Sequence, residues 1–420
     1  EIVFVDYQYD TYSEKMRCMR YTTGSGINTL WEIHHNDPSG MTTMAFFDFN
    51  LDEIPEIVYR DAYNLNIMNG SDGATLYSYP MRSGTAGEHP VIADINGDGH
   101  AEVIATGLLD DYYGNNGYGS LNVFGNSNWP DARPVWNQYV YNVTNVNEDL
   151  TVPSFCFNNA TVFTASDGTI RRPYNNFLEQ AYYITPEGEP IGTEGEPQHV
   201  DLFASFYESY EWNGTIYTQP GDYTQNFIDS HGCDSIVTLH LTATPIDLPD
   251  NILESDCNVP LQGFEWGIRE DWSSGDNIYC RINPLVGDLE DDGTPEIVCF
   301  DMMGNNPSQT AAKTINVYDG RDKYLKAQIN VEGLVWAHGN GPYGLVKLPN
   351  RKGLIVTACK DSKLYAYDIS LANPGIPVWV SNANYNTGYN DFSVSIGFAD
   401  FNGDGHPEVY VRDKIFNAET

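Results

Sequence analysis

Four stretches of this chain repeat one spacing of oxygen donors, D-x-[DNE]-x-D-x-x-x-E. They are Asp48, Asn50, Asp52 and Glu56; Asp94, Asn96, Asp98 and Glu102; Asp288, Glu290, Asp292 and Glu296; and Asp400, Asn402, Asp404 and Glu408. In such a loop the first, third and fifth side chains point into one turn, and the ninth returns to close it. Calcium takes about six to eight hard oxygens, which carboxylates, an amide, one backbone carbonyl and water supply. The carbonyl is expected from the seventh position, at Ile54, His100, Thr294 and His406. Gly99, Gly293 and Gly405 directly follow the fifth-position ligand, where the chain must bend sharply. Magnesium fits less well, because it prefers fewer protein ligands in a rigid octahedron.

Asp, Asn and Gly also favour plain solvated turns. Repetition decides between the two readings: all four copies lie between apolar strands and end in Glu. The expectation is four structural Ca2+ sites. His100 and His406 face Ile and Thr at the same position of the other copies, so they are read as solvent-facing rather than as transition-metal ligands.

Other chemistry is sparse. There is no G-x-S-x-G elbow, no H-E-x-x-H and no phosphate-cradling glycine loop. His34 and His35 are read as exposed hairpin histidines. Three loops carry aromatic residues that would stack on a sugar if exposed: Tyr112, Tyr113 and Tyr118; Trp266 and Trp272; and Tyr385 and Tyr389. Packing between sheets is the competing role for all of them.

The elements around the acidic loops repeat as well. Each loop joins two apolar runs, as in Ile57-Val58 or Ile297-Val298, and a hairpin with Asn-Gly or Asp-Gly follows at Asn69-Gly70 and Asp319-Gly320. Two hairpins per unit make a four-stranded sheet, the blade of a β-propeller. A fifth copy, Pro342–Leu348 with Gly353–Val356, keeps the strands but lacks the acids, so the blade at 342–380 should carry no ion. Glu1–Val5 reads as half of a sixth unit, and the chain stops at Asn417–Thr420 where another hairpin should continue.

The fold class expected is therefore all-β: a calcium-binding propeller of four-stranded blades, seven or eight in a full ring, with a small β-sandwich-like module. Blades are placed at 1–130 and 246–420, a connector and linker at 131–198, and the small all-β module at 199–245. Whether the two blade runs close one ring or belong to two is left open at this point.

Composition narrows the partners. With 58 acidic against 21 basic residues the net charge is −37, which excludes a nucleic-acid binder relying on clustered Lys and Arg. No apolar run approaches the roughly 20 residues of a membrane helix. No basic leader or cleavage site precedes the first strand. The cysteine count is seven, and an odd number forbids complete internal pairing. Cys299 and Cys359 lie in apolar runs and are expected as buried thiols, whereas Cys257 and Cys280 flank one segment and are candidates to pair.

On these loops and strands, the chain resembles the FG-GAP/VCBS family of integrin-α-type propellers over roughly two thirds of its length. The resemblance implies that the four loops bind Ca2+ and brace each blade, although Glu290 is longer than the usual Asp or Asn. Trp136-Asn137-Gln138-Tyr139 with Val146–Pro153, and Glu211-Trp212-Asn213-Gly214 with Gly232–Ser235, resemble segments of surface proteins of Bacteroidota exported by the type IX pathway. The implied function is a non-enzymatic extracellular, cell-surface protein, adhesive or scaffolding, gripping a glycan or a surface protein. The alternative is a polysaccharide lyase, since rhamnogalacturonan lyases also use calcium-bearing propellers. Its basic catalytic residue would come from Lys313, Lys347 or Arg412.

Overall fold

A computed structural model describes residues 2–6, 15–37, 39–50, 52, 54–83, 87–108, 118–154, 163–164, 170–171, 177–180, 198–206, 210–212, 215–228, 234–243, 266, 268–275, 278–279, 282–302, 312–331, 342–385 and 394–418. No helix occurs among them, and none is therefore long and apolar enough to cross a membrane.

The first sheet is β1 (Ile2–Val5), β2 (Lys15–Thr22) and β3 (Gly26–His34) in that order. The first acidic loop lies in a four-stranded meander of β4 (Met44–Phe47), β5 (Glu56–Arg60), β6 (Asn64–Met68) and β7 (Thr75–Pro80). The second blade begins with β8 (Val91–Ala93), β9 (Glu102–Leu108) and β10 (Tyr118–Gly125). A short pair, β11 (Phe163–Thr164) and β12 (Ile170–Arg171), follows in the connector. The small module comprises β13 (Gln198–Phe206), β14 (Tyr210–Trp212), β15 (Thr215–Tyr217), β16 (Gly221–Ile228) and β17 (Asp234–Ala243).

After the module the chain returns to the second blade. Strand β18 (Arg269–Ser273) pairs antiparallel with β10 and supplies its fourth strand. The connector and module are thus an insertion between the third and fourth strands of one blade. Next, β19 (Ile278–Tyr279) bridges β10 and β21. The third blade is β20 (Leu285–Gly287), β21 (Glu296–Met302), β22 (Ala312–Asp319) and β23 (Leu325–Asn330). A fourth blade, without acids, is β24 (Tyr343–Lys347), β25 (Gly353–Ala358), β26 (Leu364–Tyr367) and β27 (Trp379–Val380). The last sheet is β28 (Ile396–Ala399), β29 (Glu408–Val411) and β30 (Lys414–Asn417).

The fold is thus an all-β propeller architecture. Among the described residues the strands group into six blades, four of them four-stranded, and β19 joins the second and third blades into one continuous nine-stranded sheet. Its middle strands read as near-continuous apolar runs because neighbours cover both faces; every residue of β5 and β25 is buried. The inserted module has a mixed sheet, β13-β17-β16, with β13 and β17 parallel, and Leu239 and Leu241 form its small core with Tyr217 and Tyr223.

The connector is a structural element in its own right. The backbone of Trp136 exchanges two hydrogen bonds with Val286 of β20, at 2.9 and 3.0 Å. The carbonyl of Asn137 accepts from the Leu345 amide of β24, and the Gln138 side chain accepts from the Phe398 amide of β28. Farther along, Leu178 and Gln180 pair with Phe46 of β4, and Gln180 Nε2 donates to the Ile92 carbonyl of β8. Two stretches of the connector, 136–138 and 178–180, therefore tie together the first strands of five blades, which places both blade runs around one centre. Arg133, buried, holds the segment's shape by donating to Tyr141 and to the Val143 and Val146 carbonyls.

Beside it sits His89, buried between the rings of Trp136 and Tyr139, and neither ring nitrogen finds a partner among the described residues. Burial pushes its imidazole down to about 3. An unfolded chain takes up that proton near pH 6.5, so stability is present above 6.5 and lost as pH falls toward 3. Between pH 7.5 and 5 the share of stability due to His89 should fall by about 2 kcal/mol, against an opposite contribution from Glu179, whose carboxyl burial pushes up to about 8. Denaturant titrations at the two pH values in saturating calcium check this, and His89→Phe should remove that share.

Several expectations are corrected here. His35 is buried rather than exposed: its Nδ1 accepts the Asp37 amide at 3.0 Å and lies 3.4 Å from Tyr59 Oη. The hairpin glycines also act differently from a two-residue turn. In the loop after β6, the positive φ belongs to Gly73, while a side chain on Gly70 would strike the Pro55 carbonyl behind the first acidic loop. Gly320 meets the Ile95 and Pro295 carbonyls in the same way. Cys299 and Cys359 are buried as expected, whereas Cys257 and Cys280 lie outside the described residues.

Candidate metal centres

The acidic loops are wired alike. The first-position carboxylate accepts backbone amides from across the turn: Asp52 onto Asp48, Gly97 and Gly99 onto Asp94, Gly293 onto Asp288, and Gly403 and Gly405 onto Asp400. The fifth-position carboxylate accepts the seventh-position amide at 2.8–3.0 Å in all four, from Ile54, His100, Thr294 and His406. The closing glutamate accepts the second-position amide, from Phe49, Ile95, Leu289 and Phe401, at 2.7–3.0 Å. Gly99, Gly293 and Gly405 have φ of 80°, 80° and 81°, so the expected bend after the fifth position is real and needs glycine.

This scaffold leaves one oxygen of each closing glutamate pointing to the loop centre. In the first and last loops the Asn amide meets it there. Asn50 Nδ2 lies 3.0 Å from Asp52 and 3.4 Å from Glu56; Asn402 Nδ2 lies 3.0 Å from Asp404 and 3.3 Å from Glu408. Asn96 Nδ2 is 2.7 Å from Glu102. Each Asn Oδ1 meanwhile accepts the fifth-position backbone amide at 2.8–2.9 Å, so a cation taking the place of Nδ2 would draw on the second lone pair of that oxygen. The third, fifth and ninth positions then present hard oxygens to one point, a donor set that fits calcium.

The electrostatics point the same way. Glu56 and Glu102 are 1% and 3% exposed, and burial, with neighbouring aspartates adding to it, pushes both carboxyls up to about 8. At Glu102 the Lys323 ammonium offsets part of this, and at both glutamates a divalent cation would supply the positive charge that the ionised form needs.

The third loop differs. Lys326 of β23 places Nζ 2.5 Å from Glu290, 2.6 Å from Glu296 and 3.5 Å from Asp292. Burial raises Glu296 less far, to about 7, with the Lys326 ammonium pulling it down. Oxygens of Glu290, Asp292 and Glu296 converge within 4.8 Å of one another. No sequence feature flagged Lys326, because it is thirty residues past the loop and only strand register brings it back.

The histidines of the loops are less exposed than expected. Both are half-buried, and His100 Nδ1 lies 2.7 Å from the Trp129 carbonyl. Of the aromatic candidates, Tyr112, Tyr113 and Tyr389 lie outside the described residues. Trp266 and Trp272 are half-buried against the main core, and Trp272 meets Tyr318 edge-on at 5.3 Å. Tyr385 is buried, with its hydroxyl donating to the Cys359 carbonyl, and so corrects the reading of it as exposed. The basic candidates do not form a group. Lys313, Lys347 and Arg412 belong to three different blades, and Lys347 is paired with Asp291 at 2.8 Å and Asp149 at 3.7 Å.

No protein-family model matches the chain, and no curated protein matches it. Among solved structures it is similar to BamB from Moraxella catarrhalis (10% identity, 99% of this chain and 84% of that one, TM-score 0.27). It is also similar to the biofilm matrix protein Bap1 of V. cholerae (10% identity, 94% of this chain and 64% of that one, TM-score 0.33). A third similarity is to the Dos1 propeller (11% identity, 97% of this chain and 72% of that one, TM-score 0.30).

Proposed function

We propose that this chain is a non-enzymatic, extracellular cell-surface protein, adhesive or scaffolding, whose calcium-braced propeller presents loops to a glycan or protein ligand. One observation carries the calcium part: acidic loops with similar internal wiring bury closing glutamates, and Glu56 above all is left short of positive charge. An ion in each Asn-bearing loop would clamp the first two strands of its blade, from β4 to β5, β8 to β9 and β28 to β29. Exposed loops of this kind suit an environment where calcium is plentiful. The strong negative charge supports a solvated surface and argues against nucleic acid as partner. A binding rather than catalytic role is favoured because Lys347, a base candidate for lyase chemistry, is held in an ion pair.

Asp94→Ala and Asp400→Ala test the metal reading separately. Each should remove one bound ion per chain in calorimetric titration and about 2.7 kcal/mol of stability at a hundredfold excess of calcium over Kd. Hydrogen exchange should rise only in the blade that carries the substitution. A glycan array, run with an assay for unsaturated uronate products, tests the binding reading; release of such products would replace it with the lyase.

A further inference from the structure

Strand register explains how a lysine comes to sit in the third loop. Each of the first three blades has a bulge where its outermost strand passes the acidic loop, so one residue of that strand is skipped in the pairing. Ile67 faces Tyr77 and Met68 faces Thr75, which skips Leu76. Val123 faces Trp272 and Phe124 faces Glu270, which skips Asp271. Val317 faces Ala327 and Tyr318 faces Leu325, which skips Lys326. The same structural position thus carries an apolar, an acidic and a basic side chain in three successive blades.

Only the basic one accompanies a change inside the loop. The third loop has Glu290 where the others have Asn, so its first, third, fifth and ninth positions hold four carboxylates rather than three. The Lys326 ammonium restores the formal charge of the other loops. It also takes over the Asn amide's task as hydrogen-bond donor, reaching the third-, fifth- and ninth-position carboxylates together. Its side chain is only 15% exposed, and Asp319, which pairs with Glu296 across the strands, lies 3.9 Å away on another side. A calcium ion bound to these oxygens would have to share their focus with an ammonium, and the two like charges would repel.

We propose that Lys326 is the resident cation of the third loop, which therefore closes its blade without calcium while the three Asn-bearing loops take the ion. The inference rests on the calcium reading of those three loops. It makes the third loop a metal-independent member of a metal-dependent set, so that depletion of calcium would loosen the three Asn-bearing blades before it loosened this one.

The test is calcium stoichiometry on the full chain, by calorimetry and by metal analysis after gel filtration. Lys326→Met should bind one ion per chain more than the wild type, and Lys326→Arg the wild-type number. Equal numbers in wild type and Lys326→Met, with calcium bound in both, would overturn the proposal and leave the reading of the Asn loops standing. No calcium in either protein would overturn both. Should Lys326→Met fail to fold, the double variant Glu290→Asn/Lys326→Leu copies the first blade's composition and should gain the same ion. Hydrogen exchange needs no variant. In EDTA the wild type should keep β20 and β21 protected, while β4, β5, β8, β9, β28 and β29 lose protection on the order of 100-fold. Equal loss in all four acidic blades would count against Lys326.

Discussion

Removing calcium with EDTA is expected to lower the melting temperature on the order of 10 °C, the largest effect any solution change should have on this protein. The magnitude follows from mass action. An ion that binds only the folded state adds about 2.7 kcal/mol at a hundredfold excess over Kd, so three Asn-bearing loops together contribute about 8 kcal/mol. At about 2.1 cal/mol/K of unfolding entropy per residue, 1 kcal/mol moves the midpoint of a chain this long by roughly 1 °C. Closing glutamates are the reason the loss is so large. Glu56 is nearly inaccessible to water, so without a cation it must either take a proton or carry an uncompensated buried charge, and at Glu102 the Lys323 ammonium offsets only part of the same cost. Scanning calorimetry with and without chelator is the measurement. Added magnesium should restore little of the loss, because loop oxygens set for a large cation do not form its small octahedron. Superimposable melting curves would remove calcium from the account of this fold.

The acidic loops and the blades were legible because their signals are local. A donor at every second residue followed by a glycine is a backbone turn that few other sequences need. Apolar runs on both sides show strands buried on both faces, as β5 and β25 are. What the sequence hid was long-range. Strand β18 reads Arg-Glu-Asp-Trp-Ser, with no apolar alternation, yet it completes the blade begun by β8. It is an outer strand with one face in solvent, so composition places no demand on it. Lys326 was invisible for a related reason, since its role depends on a bulge that only the paired strands define. The Asn69-Gly70 and Asp319-Gly320 pairs did mark hairpins, but through close approach to a neighbouring carbonyl rather than through turn geometry.

The connector was the largest surprise, and it yields the second large effect. Residues 131–150 have little regular structure, and in sequence they read as an ordered but irregular connector. In the fold, Trp136 is fully buried and stacks on Tyr141 at a centroid distance of 4.4 Å, while its backbone pairs with β20. Tyr141 in turn donates to Gln180, whose amide reaches β8. Trp136→Ala should therefore cost about 3–5 kcal/mol, because the cavity opens where strands from both runs meet and neither run can collapse into it alone. The loss should be the same with and without calcium, which separates it from any variant of the acidic loops. Val140→Ala, four residues away but 37% exposed, should stay within about 0.5 kcal/mol. Hydrogen exchange supplies the sharper discriminator. If the connector is the common centre, Trp136→Ala raises exchange in β4 and β8 as well as in β20, β24 and β28. A change limited to β20 would mean that the segment merely rests on one blade, and that the two runs hold together by other contacts.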